Sequence, residues 1–265
     1  MTIARAYLPL VAAVVMGALA LGCEDKPATD LAPTASALAP AKPASATAAK
    51  FEVDAAESKV SFLMDAPLEK IHGKAPGSMS GEVFVDLEDI TKSSGLVKVD
   101  LFKLELFQQK RPKEGEEFGE EAKSEKQNEH AKAWLEIDAE APEAKRQEYR
   151  YIEFKVTKIE AKGEKSLSAL KGDERKLTVT VTGEFRLHGR KTTKTTDMEV
   201  TVKYAGDKPV SARFKSLAPL VVGLDEHDVR PREAFGKLAQ KTLEAMAPKV
   251  AKEAPVSLEF VATAK

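Results

Sequence analysis

From Phe51 onward, apolar and polar residues alternate with a period of two along most of the chain. Val60, Phe62 and Met64 alternate with Lys59, Ser61 and Leu63, and Val83, Val85 and Leu87 with Glu82, Phe84 and Asp86. Leu96 to Leu104 repeats the pattern, as do Ile152, Phe154 and Val156 against Glu153 and Lys155. The longest run is Leu177, Val179, Val181, Gly183, Phe185 and Leu187, interleaved with Thr178, Thr180, Thr182, Glu184 and Arg186. Met198 to Tyr204 follows, with shorter stretches at 209–217 and 256–262. Successive side chains of a strand point to opposite faces, so this period with one polar face predicts half-exposed antiparallel strands. Seven or eight of them, spaced too regularly for βαβ units, predict a barrel or a sandwich.

Two stretches break the alternation and predict helices. Residues 120–135 are mostly charged, with Ala131, Trp134 and Leu135 near the end. Residues 232–247 set Phe235, Leu238, Ala239, Leu243 and Met246 at helical spacing behind Pro231, a residue favoured at helix starts. Both are expected as lids or flanks on the sheet.

The N-terminal segment has a different character. Arg5 precedes an apolar run from Ala6 to Leu21, which ends in Ala20-Leu21-Gly22-Cys23. This is the pattern of a signal peptide over residues 1–22, too short for a stable membrane-spanning helix. A Cys directly after the cut is where a bacterial lipoprotein receives its lipid, and Cys23 is the only cysteine in the chain. The other reading is an ordinary secretory signal that leaves a free thiol. Residues 23–50 come next. Of the 27 residues from 24 to 50, ten are Ala and four are Pro, which predicts a disordered tether. At ~3.1 Å per residue its reach would be about 80 Å.

Composition narrows the function classes. A single cysteine rules out an intramolecular disulfide, so the domain over residues 51–265 stands on its apolar core. Without Arg5, 40 basic residues face 42 acidic ones, which gives no electrostatic footprint for nucleic acid. No phosphate loop or zinc motif is present, and Gly77-Ser78-Met79-Ser80-Gly81 has Met where a nucleophile elbow needs Ser. His72, His130, His188 and His227 are scattered singly. The best local metal candidate, Asp225-Glu226-His227-Asp228, reads more simply as a solvated loop, and His188 as a turn residue. No metal, cofactor or catalytic residue is therefore expected, and the charged run Lys110–Lys126 is read as a solvated surface.

Several segments resemble the YceI-like polyisoprenoid-binding domain family. Phe51-Glu52-Val53-Asp54 with Ser58-Lys59-Val60-Ser61-Phe62, and Ser80-Gly81-Glu82-Val83, resemble its opening strands. Asn128-Glu129-His130-Ala131-Lys132 and Tyr151-Ile152-Glu153-Phe154-Lys155 follow in order, and Val181 to Thr192 resembles its Thr-Gly strand and His-Gly turn. The chain departs from the family at Glu57, where a His is usual, and in a longer segment between 105 and 135. The resemblance implies an all-β fold, an eight-stranded antiparallel lipocalin-like barrel holding an isoprenoid or another amphiphilic lipid. Candidate cavity residues are Phe62, Met64, Val83, Val85, Phe154, Val179, Val181, Phe185 and Met198. The expected role is a non-catalytic lipid carrier or sink in the bacterial cell envelope, facing the periplasm and anchored through Cys23. The alternative is a partner-binding scaffold whose barrel is filled.

Overall fold

A computed structural model of the protein describes residues 30–230 and 252–265. The expected signal peptide, Cys23 and the expected helix over 232–247 lie outside the described residues.

The strands are β1 (Ala49–Asp65), β2 (Glu69–Lys74), β3 (Met79–Val85), β4 (Ser94–Asp100), β5 (Glu105–Lys110) and β6 (Ala122–Lys123). After helices α1 (Glu125–Trp134) and α2 (Glu143–Tyr149) come β7 (Tyr151–Ala161), β8 (Glu174–Leu187), β9 (Arg190–Ala205), β10 (Lys208–Ser216), β11 (Leu220–Gly223) and β12 (Glu253–Ala264). Eight of these run β1-β3-β4-β7-β8-β9-β10-β12, and pairing of β12 with β1 closes them into an antiparallel barrel. Closure leaves the barrel itself with no open edge. These eight are the strands that the alternation marks.

β1 serves both the barrel and an extension of its sheet. Its start pairs with β3, and its end pairs with β2 to carry a flap of β2, β5 and β6. Between the two, the register with β12 slips from Asp54 to Lys59. Asp54 closes this irregularity by accepting hydrogen bonds from the amides of Ala56 and Glu57, and Ser58 Oγ accepts one from Val261 N–H. β2, β5, β6 and β11 are short, and no alternation announces them.

The run expected as a strand through Leu104 stops at Asp100, whose side chain accepts from Phe102 N–H and turns the chain into a 3-10 turn over Leu101–Lys103. Within the helix expected over 120–135, Ala122–Lys123 form β6 and the helix starts at Glu125. Ser124 caps it by accepting from Gln127 N–H. Buried Asn128 clasps the backbone of β5, donating to Leu106 O and accepting from Leu106 N–H.

The disordered tether expected over 23–50 needs correction wherever its residues are described. Residues 30–48 form a strap along the outside of the barrel, from the β8–β9 turn to the start of β1. Thr34 bridges to Arg190, Ala35 N–H donates to Gly189 O, and Lys191 N–H donates to Pro33 O. Ala32 and Leu38 are buried. Ser94 Oγ then donates to Lys42 O and Thr47 Oγ1 to Asp86. An Ala- and Pro-rich segment cannot build its own core, but here it borrows one from the barrel wall.

Candidate functional site

Inward-facing residues of the barrel strands enclose an apolar cavity of ≈ 130 Å³. Val83, Val85, Phe154, Val179, Val181, Phe185 and Met198, inward by the alternation and cavity candidates by the resemblance, line it. Phe62 and Met64 do not. They lie past Val60, where β1 pairs with β2, and the Phe62 ring lies so close over Gly73 that a Cβ there would come within 2.1 Å of it. Further wall residues include Val97, Val99, Phe214 and Phe260, which share the apolar phase of strands already legible in the sequence. Ile90, from a 3-10 turn, also reaches the wall, and no periodicity could have found it.

Gly183 shapes the wall. Its ideal Cβ would lie 2.5 Å from Lys155 O and 2.6 Å from Phe154 Cζ, so the missing side chain lets the Phe154 ring lie across β8. The hydroxyls at the wall are turned toward the backbone. Ser93 Oγ accepts from Asp86 N–H, Ser94 Oγ donates to Lys42 O, and Ser216 Oγ donates to Leu258 O while accepting from Leu258 N–H. Such a surface offers dispersion and the hydrophobic effect but little directional recognition. Among the described residues, apolar side chains pack at both ends. Ile90 and Leu167 sit at one, tied by Ile90 N–H to Lys165 O, and Leu101, Leu135, Ile137, Val222 and Val229 cluster at the other.

Outside the cavity the barrel wall buries charge under the strap. Arg186 and Glu153 are 2% and 1% exposed and approach to 3.5 Å. Lys98 also pairs with Glu153, at 2.8 Å. The strap completes the set, with Leu38 N–H donating to Glu153 Oε2 and Ala35 O accepting from Arg186 Nε.

His188, in the turn between β8 and β9, has φ of 51°, is buried, and lies 3.1 Å from Glu136 Oε2 through Nε2 and 3.1 Å from His227 O through Nδ1. His227 is fully buried, with Nδ1 2.7 Å from Gly223 O and Nε2 3.3 Å from Thr192 Oγ1. Burial pushes its pKa down, against the opposing pull of the Gly223 carbonyl and Glu226. Glu226 itself pairs with Lys194 at 2.6 Å. Both histidines thus brace the turn against the segment after β11. Among the described residues, no group of three or more His, Cys, Asp and Glu has the arrangement of a metal site. Nor is any described helix long and apolar enough to cross a membrane.

The family model described as "YceI-like domain" matches residues 51–262. Among solved structures, a polyisoprenoid binding domain from Saccharophagus degradans, implicated in plant cell wall breakdown, superposes with a TM-score of 0.50 at 15% sequence identity. That match covers 81% of this chain and 98% of that one. BcnA from Burkholderia cenocepacia has a TM-score of 0.45 at 20% identity, covering 80% and 99%. At these identities the likeness is one of fold. No curated protein sequence matches the chain.

Proposed function

Since the chain belongs to the YceI-like domain family, we propose that its barrel binds the hydrocarbon part of a long, isoprenoid-like amphiphilic lipid. It acts as a carrier or sink in the bacterial cell envelope and performs no chemistry of its own. The observation that carries this reading is the cavity wall, apolar throughout, with its serine hydroxyls engaged by backbone groups. Each methylene moved from water into such a space gains about 0.8 kcal/mol, so a chain needs no polar anchor inside. The name of the Saccharophagus degradans domain points to the same ligand class. Export by the signal over residues 1–22 and a lipid on Cys23 complete the proposal, with the protein held at the membrane and facing the periplasm.

One observation favours the filled-barrel scaffold instead. At ≈ 130 Å³ the cavity is smaller than the roughly 300–1,000 Å³ of ordinary ligand pockets. The two readings separate in one experiment. Native protein extracted with organic solvent should release a prenyl or acyl lipid, and the emptied protein should take up a fluorescent prenyl analogue. Clean extracts together with no uptake would leave the scaffold.

A further inference from the structure

The strap changes what an N-terminal anchor does to the barrel. A free tether from 24 to 50 would let the domain tumble at any angle above a membrane. Here, however, Ala32 is buried, its N–H donates to Glu226 O, and its carbonyl accepts from Arg190 Nη1. Pro33, Thr34 and Ala35 are tied to residues 189–191. Ala32 lies nine residue steps after Cys23, and an extended chain gains at most ~3.3–3.6 Å per step, so the two are no more than about 30 Å apart. β9 has 16 residues. At ~3.3 Å each, its two ends lie about 50 Å apart. Ala32 is fastened at the end of β9 that begins at Arg190, while the turn after β9, at Gly206-Asp207, lies at the other.

We propose that the strap makes the barrel end formed by the β8–β9 turn and residues 225–228 the membrane-facing end of the protein. The inference rests on the reading of Cys23 as the anchor. The rest of the strap keeps that end fixed. Its path is held by Glu153 and Arg186, through Leu38 N–H and Ala35 O, and beyond them by Ser94 and Thr47. The buried pair of Arg186 and Glu153 lies under the strap. It accepts the strap only where one backbone donor and one acceptor meet it. The surface presented at that end is mixed in charge, with Arg190, Lys191 and Lys194 beside Glu226 and Asp228, and Leu31 stands exposed next to it. The anchor and not surface charge therefore sets the orientation.

The test separates orientation from natural lipidation. The chain from residue 23 onward, without its natural lipid, is coupled through Cys23, its only thiol, to a maleimide phospholipid in phosphatidylcholine vesicles. A donor fluorophore is placed bio-orthogonally at position 225 or at position 207, and the vesicles carry a headgroup acceptor. Energy transfer from 225 should exceed that from 207 several-fold. Twenty Gly/Ser residues inserted between 29 and 30, which lengthen the free chain and leave the strap and the barrel unaltered, should bring the two to equality. Equal transfer in the unaltered chain, or stronger transfer from 207, would overturn the proposal. Whether the cell adds the lipid is read separately, from the mass of the Cys23 peptide. A missing lipid would remove the anchor reading and leave the vesicle result standing as geometry.

Discussion

His227 shows at the residue scale how a polar side chain can be mistaken for chemistry. In the sequence it sits among Asp225, Glu226 and Asp228, the best local candidate for a set of metal ligands. In the structure its ring is buried, edge-on to Phe185 at 5.4 Å between centroids, with Nδ1 against the Gly223 carbonyl. Burial lowers its pKa below the unfolded value of 6.5, and Lys194 and Arg190 add to that. Below about pH 6.5 the unfolded chain therefore binds a proton that the folded chain refuses, so stability is lost as the pH falls. The contribution is fully present above that pH. Asp86 and Asp100 act in a lower window. Burial works to raise both pKa values, but hydrogen bonds outweigh it and hold both carboxyls below 3.8, and their stabilisation is lost on acidification below that value. The melting temperature should accordingly fall between pH 7 and 5, and His227→Gln should flatten that part of the profile while leaving the fall below pH 4. An unchanged slope between pH 7 and 5 would show that His227 does not control it.

At the scale of elements, the barrel strands were legible because each has one face in the core, and period-two alternation reports that directly. The flap and β11 were not. β2 and β5 are six residues each and β11 four, and Glu69-Lys70 and Gln108-Gln109-Lys110 carry no alternation. The strap escapes a reading of composition for a different reason. Composition measures whether a segment can bury itself, whereas residues 30–48 are held by backbone bonds to a turn and by side chains on the polar phase of the barrel strands. Arg186 and Glu153 sit where alternation predicts solvent, and the strap, with the end of α2 through Glu148 O, helps make their site an interior. Breaking a buried pair by removing one partner costs about 3–5 kcal/mol, because the other charge stays buried. Lys98 still pairs with Glu153 in Arg186→Met, so the variant should lose less than that, about 1–3 kcal/mol in urea unfolding, from the buried acceptors left without Arg186. It should also expose residues 30–48 to proteolysis before the barrel unfolds. Unfolding in a single step with the strap still protected would show that the strap is held elsewhere. Gly183→Ala tests the neighbouring wall. Its Cβ has no room against the Lys155 carbonyl and the Phe154 ring, so the strand must shift, at a cost of about 1–3 kcal/mol.

For the whole molecule the question is whether the barrel is a container or a filled frame. An engineered apolar cavity of about 150 Å³ accepts benzene, so ≈ 130 Å³ admits one narrow body, and a long chain enters only if the wall yields. Phe154, whose ring lies across Gly183, is the wall residue that tests this. Phe154→Ala should cost about 3–5 kcal/mol in the empty protein, from lost burial and the space left behind. If the barrel is a container, a prenyl lipid fills that space. Ligand that binds only the folded state adds RT ln(1 + [L]/Kd), about 2.7 kcal/mol at a hundredfold excess over Kd. Thermal melting with a prenyl alcohol should then raise Tm in both proteins and more in the variant, because the added volume improves its affinity. A filled frame behaves differently. Its wild-type Tm ignores the lipid, and the variant regains at most what a small apolar molecule such as benzene restores equally well. The two outcomes differ in the wild-type protein and again in chain-length dependence, so a titration with prenyl alcohols of increasing length decides between them. A rise in Tm that continues past the length filling ≈ 130 Å³ would mean that the wall moves to admit its ligand.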